Sequence, residues 1–547
     1  MYIDTSISKR GDKVYVRHLL RRTFRENGAV KHETLLNLSN CPEEEIAAIK
    51  LALKHKGDLT SIASISEIEP TLGKRIAAVW ALNTVAERVG VASALGKDRQ
   101  GKLALLQVLA RIIDQGSRLS AVRLAESHAL CETLGIDKLD EDDLYDNLAW
   151  LAANQEEIEK ALFAARFPRE TPTLFLYDVT SAYLEGEHNE LGAYGYNRDR
   201  KRGKLQIVVG LLTGPDGLPV AVRVFEGNTK DEKTVSEQVR ILAKSFGVKE
   251  VTLVGDRGML KGPQIDALPD DFRYITAITK PQINKMLTQG VLQMELFTDT
   301  VCEVDVGEVR YVLRRNRLRA EEMKASRASK LSAIEKTAEA QTKHLAEHPK
   351  ADAKKAREKV VAKIKRLSAG AWLRAARKGR VISIVKNDDD LANTALLDGC
   401  YAIKSDVPKA SADAQTLHDR YCDLENVERA FRTMKTAHLE LRPVYVHRAS
   451  STRGHVFVVM LALLVQRDLE RCWRDLNITV EEGIDELGAI SALDIRLGGA
   501  TVSTIPKPNP RAAKLLEKAS ISLPSALPAA APRVHTKKKL TSERIRN

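Results

Sequence analysis

Cysteine is scarce, and what there is lacks a pattern. Six residues (Cys41, Cys131, Cys302, Cys400, Cys422 and Cys472) are scattered over 547 positions without a C-x-x-C pair. That excludes a disulfide framework and a zinc knuckle, and it suits a reducing cytoplasm. Long apolar runs are also missing. The opening MYIDTSISKRGDK has no apolar h-region, and the longest apolar run, HVFVVMLALLV at 455–465, is about half the length a membrane span needs. It reads as a buried helix, and no membrane partner is expected. The twelve histidines form no H-E-x-x-H or paired-ligand motif, so His455, at the head of that run, reads as structural. GKDRQGK at 96–102 approaches a P-loop, but Leu103 stands where Ser or Thr should reach Mg²⁺ and no strand leads into it, which excludes ATP binding there. No internal repeat is present.

What the chain does have is length and positive charge. At 547 residues it is too long for one core, and a prior of about 150 residues per domain gives roughly three or four. Lys and Arg number 86 against 73 Asp and Glu, a net charge of +13, which suits a polyanionic partner such as nucleic acid.

Periodicity divides the chain. Residues 1–69 form an N-terminal β element, with Asn27-Gly28 between two β-compatible runs as a hairpin signal. Residues 70–166 switch to helical spacing (Leu103, Leu106, Ala110, Ile113; Leu144, Leu148, Leu151) and form a helical domain. Between 167 and 280 come β-rich runs at 171–185, 204–228, 249–256 and 272–279, with a Pro-Asp-Gly turn at 215–217 and a helix-compatible segment at 231–246. That order is typical of a mixed α/β layer. Residues 281–405 hold short β-like pieces and two charged helices separated by Pro349, and a strand-like DGCYAIKSD at 398–406 closes the segment. Residues 406–500 resume the layer with YCDLENVERAFRTMK and a long helix from about 451 to 474. Residues 501–547, with ten Lys/Arg, two Glu and six prolines, read as a flexible basic tail.

Three acids stand out. Asp178 lies inside the strand-like LFLYDVTS, where an ionised side chain costs free energy unless compensated; the plain alternative is a solvent-facing position on an edge strand. Asp256 closes VTLVGDRGM between Gly255 and Gly258, at the carboxyl end of a strand where ligands commonly bind; the alternative is a helix N-cap. Glu428, beside Arg429 and Arg432, is on its own an ordinary helix surface acid. Read as one helix, 421–435 carries Tyr421, Glu428 and Lys435 on one stripe at intervals of seven. As a set, the three carboxylates suit two Mg²⁺ or Mn²⁺ ions, hard cations that keep water and phosphate oxygens as remaining ligands. YNRDRKRGK at 196–204 is a further candidate for gripping phosphates, through Arg198 and Lys204, although a charge run is usually a solvated surface.

LYDVTSAYLE, then YGYNRDRKRGKLQIVVGLLTGPDGLPVAVRVFEGNTKDEKTV, GDRGM, YCDLENVERAFRTMK and LRPVYVHR, in this order, resemble a DDE transposase of the insertion sequence 4 superfamily, closest to the branch typified by insertion sequence 1634. The likeness runs from about residue 10 to 495. It implies an α/β fold with a ribonuclease-H-like catalytic core interrupted by a β-rich and helical insertion, here residues about 281–405. It implies that Asp178, Asp256 and Glu428 bind two metal ions, Mg²⁺ or Mn²⁺, and that Tyr421, Lys435 and Arg432 contact DNA. In the superfamily's Tyr, Arg, Glu, Lys signature, Tyr421, Glu428 and Lys435 match, while Leu424 occupies the Arg position. The implied activity is cleavage at insertion-sequence ends and strand transfer into target DNA. The partners are double-stranded DNA, as terminal inverted repeats and as target, and a second copy of the chain as a homodimer on paired ends in a bacterial cytoplasm. By position, residues 70–166 would recognise the ends. Two other readings stand beside it, a catalytically silent DNA-binding derivative and a metal-dependent nuclease that cuts without joining.

Overall fold

The computed structural model describes residues 1–10, 13–26, 28–56, 69–199, 201–436, 439–497, 500–528 and 532–536. Its centre is an eight-stranded mixed sheet. In chain order the strands are β1 (Leu174–Tyr183), β2 (Gln206–Thr213), β3 (Pro219–Glu226), β4 (Val251–Gly255), β5 (Phe272–Ala277), β6 (Cys302–Val306), β7 (Val309–Arg315) and β8 (Cys400–Ser405). In space they run β6-β7-β8-β5-β4-β1-β2-β3. The β1–β4 and β4–β5 contacts are parallel and the rest antiparallel.

Both faces of the sheet are covered, which is why QIVVGLLT of β2 is buried at every position and reads as an unbroken apolar run. Along β1 the side chains alternate. Phe175, Tyr177 and Val179 pack against Val235, Ile241 and Leu242 of the 231–245 helical segment, while Leu176 and Ala182 join the opposite core. That second core is organised by the helix Ala449–Trp473, whose residues from Val456 to Val465 are buried on all sides. It is long and apolar enough to cross a membrane, yet 78% of its most apolar window lies inside the fold, as expected of a core helix. The helices Ala77–Arg88, Arg99–Ile113 and Glu141–Ala153 wrap it and share its core. The helical segment read as a domain of its own, residues 70–166, therefore shares a core with the central helix and the sheet.

Three other expectations change. The β-like pieces after residue 280 are first a helix, Lys280–Thr288, and then β6 and β7, which with β8 extend the central sheet. Within this segment the stretch between β7 and β8 packs on a core separate from that of the sheet. It comprises the helices Arg317–Glu347 and Ala353–Arg366 and the hairpin Leu373–Lys378/Val381–Lys386, packed on their own small core around Ile334, Val360 and Trp372. The supposed tail is structured between 500 and 528: Ala500–Thr504 pairs with Ser491–Leu497, and the helix Pro510–Lys518 buries Ala512, Leu515 and Leu516. Residues 537–547 lie outside the described residues. At the other end the element has three strands, Tyr2–Arg10, Lys13–Glu26 and Ala29–Asn37. Gly28 takes a φ of 80° at the expected turn, while Asn27 lies outside the described residues.

Two features of the core generate predictions. A Cβ on Gly454 would lie 2.1 Å from the Leu148 carbonyl oxygen, so this glycine sets how closely the central helix meets Glu141–Ala153. Gly454→Ala should lower unfolding free energy by about 1–3 kcal/mol in urea denaturation, whereas Gly488→Ala, with open space around it, should change it by less than about 0.5 kcal/mol. His455 accepts at Nδ1 from the Arg118 guanidinium at 3.2 Å and donates from Nε2 to the Leu441 carbonyl at 3.3 Å. Burial, then the charges of Arg111 and Arg118, hold it neutral, well below the ordinary histidine value of 6.5. The unfolded chain takes up a proton that the folded one refuses, so this contribution to stability is present above pH 6.5 and is lost as pH falls below it. At one pH unit below, the loss should be about 1.4 kcal/mol, and His455→Asn should flatten that part of the stability profile.

Candidate active site

The parallel register of β1 with β4 sets Tyr177 beside Gly255, so the next residue on each chain, Asp178 and Asp256, emerges side by side on strands about 4.8 Å apart. Asp178 lies within its strand and Asp256 just past the end of its own. Asp178 follows the alternation of Leu176 and shares the face over which Leu424–Lys435 is laid. That helix buries Val427, Ala430, Phe431 and Met434, an i, i+3, i+4, i+7 stripe, and leaves Glu428 exposed on its flank.

The electrostatics tie the three acids together. Burial pushes the Asp178 carboxyl up to about 7; an N–H bond from Val179 and the Arg198 charge oppose this, and the Asp256 and Glu428 charges add to it. A mid-strand carboxylate raised by burial first, and then by two further carboxylates, is a place where a cation is wanted. As they stand, no three His, Cys, Asp or Glu side chains among the described residues close on one point as a finished metal cage. The donor set still fits a hard divalent ion, since it consists of oxygens and accumulates unneutralised negative charge.

The 421–435 segment is two helices, Ala414–Cys422 and Leu424–Lys435, meeting at Asp423. There the Asn426 amide bonds to the Asp423 carbonyl three residues back, a local tightening that breaks the stripe expected of one helix. Tyr421 still reaches the site: its hydroxyl donates to Asp256 Oδ1 at 3.5 Å, and the Arg257 amide donates to the same oxygen at 2.7 Å. Burial and the Asp256 charge raise the Tyr421 phenol far above its ordinary value, so it stays a donor. Leu424 packs against the main core, and no guanidinium stands at that point.

Residues 3–65 match the model described as IS1634 family transposase, N-terminal domain, and residues 169–465 match the transposase DDE domain. The second match spans more than half of the chain. The chain belongs to the IS1634 family of DDE transposases. No curated protein sequence matches it. Among solved structures it is similar to the piggyBac transposase synaptic complex with hairpin DNA, at 10% identity over 76% of this chain and 69% of that one, with a TM-score of 0.34.

In this transposase the basic residues expected at DNA divide into two groups. Arg432 is exposed beside Glu428. Arg198 pairs with Asp231 at 2.6 Å, and its amide donates to Ser181 Oγ at 3.0 Å. Lys204 pairs with Glu185 at 2.6 Å in the open. Lys435, expected on the DNA backbone, is turned inward instead. Its ammonium lies 2.8 Å from Asp199 Oδ1, Arg442 approaches the same oxygen at 3.2 Å, and Tyr183 donates its amide to Oδ2 at 3.2 Å. The Lys435 and Asp199 side chains are only 10% and 2% exposed, and burial lowers the lysine's pKa despite Asp199. Sequence reasoning missed Asp199; its signal was one acid inside the basic YNRDRKRGK.

Removing one partner of a buried ion pair strands the other, at a cost of about 3–5 kcal/mol. Asp199→Ala leaves both Lys435 and Arg442 uncompensated and should destabilise the transposase by that amount in chemical denaturation. Glu185→Ala, which breaks the exposed pair with Lys204, should cost less than about 1 kcal/mol.

Proposed function

We propose that this transposase cuts DNA at the ends of its own element and joins them to a target, a cut-and-paste reaction run by a ribonuclease-H-like core with Asp178, Asp256 and Glu428 as its catalytic acids. The observation that carries the reading is the placement of Asp178 and Asp256 on neighbouring parallel strands, with Glu428 close enough to raise Asp178. The β3-β2-β1-β4-β5 half of the sheet, three antiparallel strands followed by two parallel ones, supports the core assignment.

The three acids would hold divalent cations, two Mg²⁺ or Mn²⁺, which when bound supply Lewis acidity to the attacking and leaving oxygens of a phosphodiester. The chain's own groups do the rest. Tyr421 and the Arg257 amide fix one oxygen of Asp256, leaving its other oxygen to face the reaction. Arg198, held by Asp231 and Ser181, places positive charge beside Asp178, where a phosphate would sit. Arg432 and Lys204 line the approach for a duplex. In the first step a water oxygen forms a bond to phosphorus and the bond to the 3′-oxygen breaks, freeing a 3′-hydroxyl. In the second that hydroxyl attacks a target phosphate, with the displaced strand leaving through its own oxygen. The active form is a homodimer that brings two ends together in the cytoplasm.

Incubating the purified protein with border DNA of its gene and a circular target, in Mg²⁺ and in EDTA, tests this. Cleavage and joining should need the metal, and Asp178→Ala, Asp256→Ala and Glu428→Ala should each reduce both by at least about a thousandfold while DNA affinity stays within about threefold. Retained cleavage in any one variant would remove that residue from the set. Cleavage without joining would favour a nuclease, and binding without cleavage a silent DNA-binding derivative.

A further inference from the structure

The three N-terminal strands form an antiparallel sheet whose two faces differ in how their charge is balanced. The register assigns the faces: Arg21 lies opposite Thr34, and Arg22 opposite Glu33. On the face of Arg22 the cations of the β-strand pair next to it are neutralised within the sheet, Arg22 by Glu33 at 2.7 Å and Lys31 by Glu26 at 2.6 Å, and Lys9, opposite Val14, is the further cation there, toward the far end of the sheet. Arg22 also lies over the Phe24 ring. The other face carries Arg17, Arg21 and Arg25 at every fourth residue of the central strand. There Asp4 pairs with Arg21 at 2.7 Å, whereas Arg17, opposite Ser6, and Arg25, opposite Val30, have no carboxylate partner among the described residues. Tyr2 and Thr23 converge on His32 at 3.1 and 3.2 Å on this same face, adding hydrogen-bonding groups beside the arginines. All of it is exposed or half-exposed.

The geometry points to this arginine face as the surface that recognises the element's own end DNA. The inference rests on the transposase reading above. Four residues of strand rise by about 13 Å, close to the roughly 12 Å width of the major groove, so successive arginines can reach both of its walls. Sheets that read DNA lay their strands in a groove in this way. Unpaired guanidiniums supply phosphate or guanine contacts, and the neighbouring Tyr2, Thr23 and His32 supply groups that can discriminate base edges. The helices between 77 and 153, the other candidate for end recognition, are packed into the core around Ala449–Trp473.

The test is fluorescence anisotropy of the full-length protein in EDTA, with a duplex from the immediate border of the gene and an unrelated duplex of equal length. Arg17→Ala/Arg25→Ala should weaken border binding about a hundredfold, remove most of the preference for the border duplex, and make the slope of log affinity against log salt shallower by about 2. Arg22→Ala, on the opposite face, should stay within about twofold. Arg17→Lys/Arg25→Lys, which keeps the charge and guards against a folding artefact, should restore the salt slope but not the preference. Unchanged border affinity in the double alanine variant, or an equal loss on both duplexes, would overturn the proposal. If the wild type itself neither prefers nor cleaves its border in Mg²⁺, it is the transposase reading that fails; if it does both and the double variant matches it, only this surface does.

Discussion

The site turns on one electrostatic constraint: a carboxylate set within a sheet strand, with two further carboxylates on the exposed rim beside it. Asp178 sits in the middle of β1 among buried aliphatic neighbours, and its ionised form is disfavoured first by burial and then by Asp256 and Glu428. A fold arranged only for stability would place a neutral residue there, because an uncompensated buried charge costs several kcal/mol. The compensation available within the chain is partial. Arg198 is near but committed to Asp231, and Tyr421 and the Arg257 amide serve only Asp256. The remaining deficit of positive charge is what divalent cations would meet.

Holding such a site open requires rigid support, and the central helix supplies it. By burying every side of its middle turns, Ala449–Trp473 joins the helical jacket of residues 77–153 to the sheet that carries the acids. The buried cluster of Asp199, Lys435 and Arg442 fastens the end of the Glu428 helix to the basic loop after β1 and to β1 itself. Lys435 is thus held inside the fold by Asp199. By fixing Asp199, it fixes the neighbouring Arg198 against Ser181 and Asp231, next to Asp178.

The acids were legible in the sequence because each sat against a local background that made it conspicuous: one inside an apolar strand, one at a strand end between glycines, one on a helix. β1 to β5 were legible for the same local reasons. What was not legible depends on distant partners. Nothing in CEVDV or VRYVLRR says that they extend the main sheet; the two pair with each other as a hairpin, and VRYVLRR joins the sheet through β8, about 90 residues on. Lys435 and Asp199 meet across 236 residues, so a lysine on a helix face looked free. The Pro510–Lys518 helix had its signal in Ala512, Leu515, Leu516 and Ala519, a stripe at helical spacing that the surrounding prolines and lysines obscured. The strand Tyr2–Arg10 was missed because its alternating residues face solvent on both sides, and periodicity reveals only strands with one wet face.

Leu424 shows how a departure from a family signature can be read physically. A guanidinium at that position would sit in the first turn of the Glu428 helix, the end of the helix dipole that disfavours a cation. Leu424 instead packs against the main core, anchoring the helix just after the break at Asp423 that lets Tyr421 turn toward Asp256. Positive charge near Glu428 comes from Arg432 and, across the site, from Arg198. Arg432 lies one turn further along, where the same helix dipole favours a cation. The substitution therefore shifts cationic character toward the C-terminal half of the helix, while packing at Leu424 holds the geometry around Glu428.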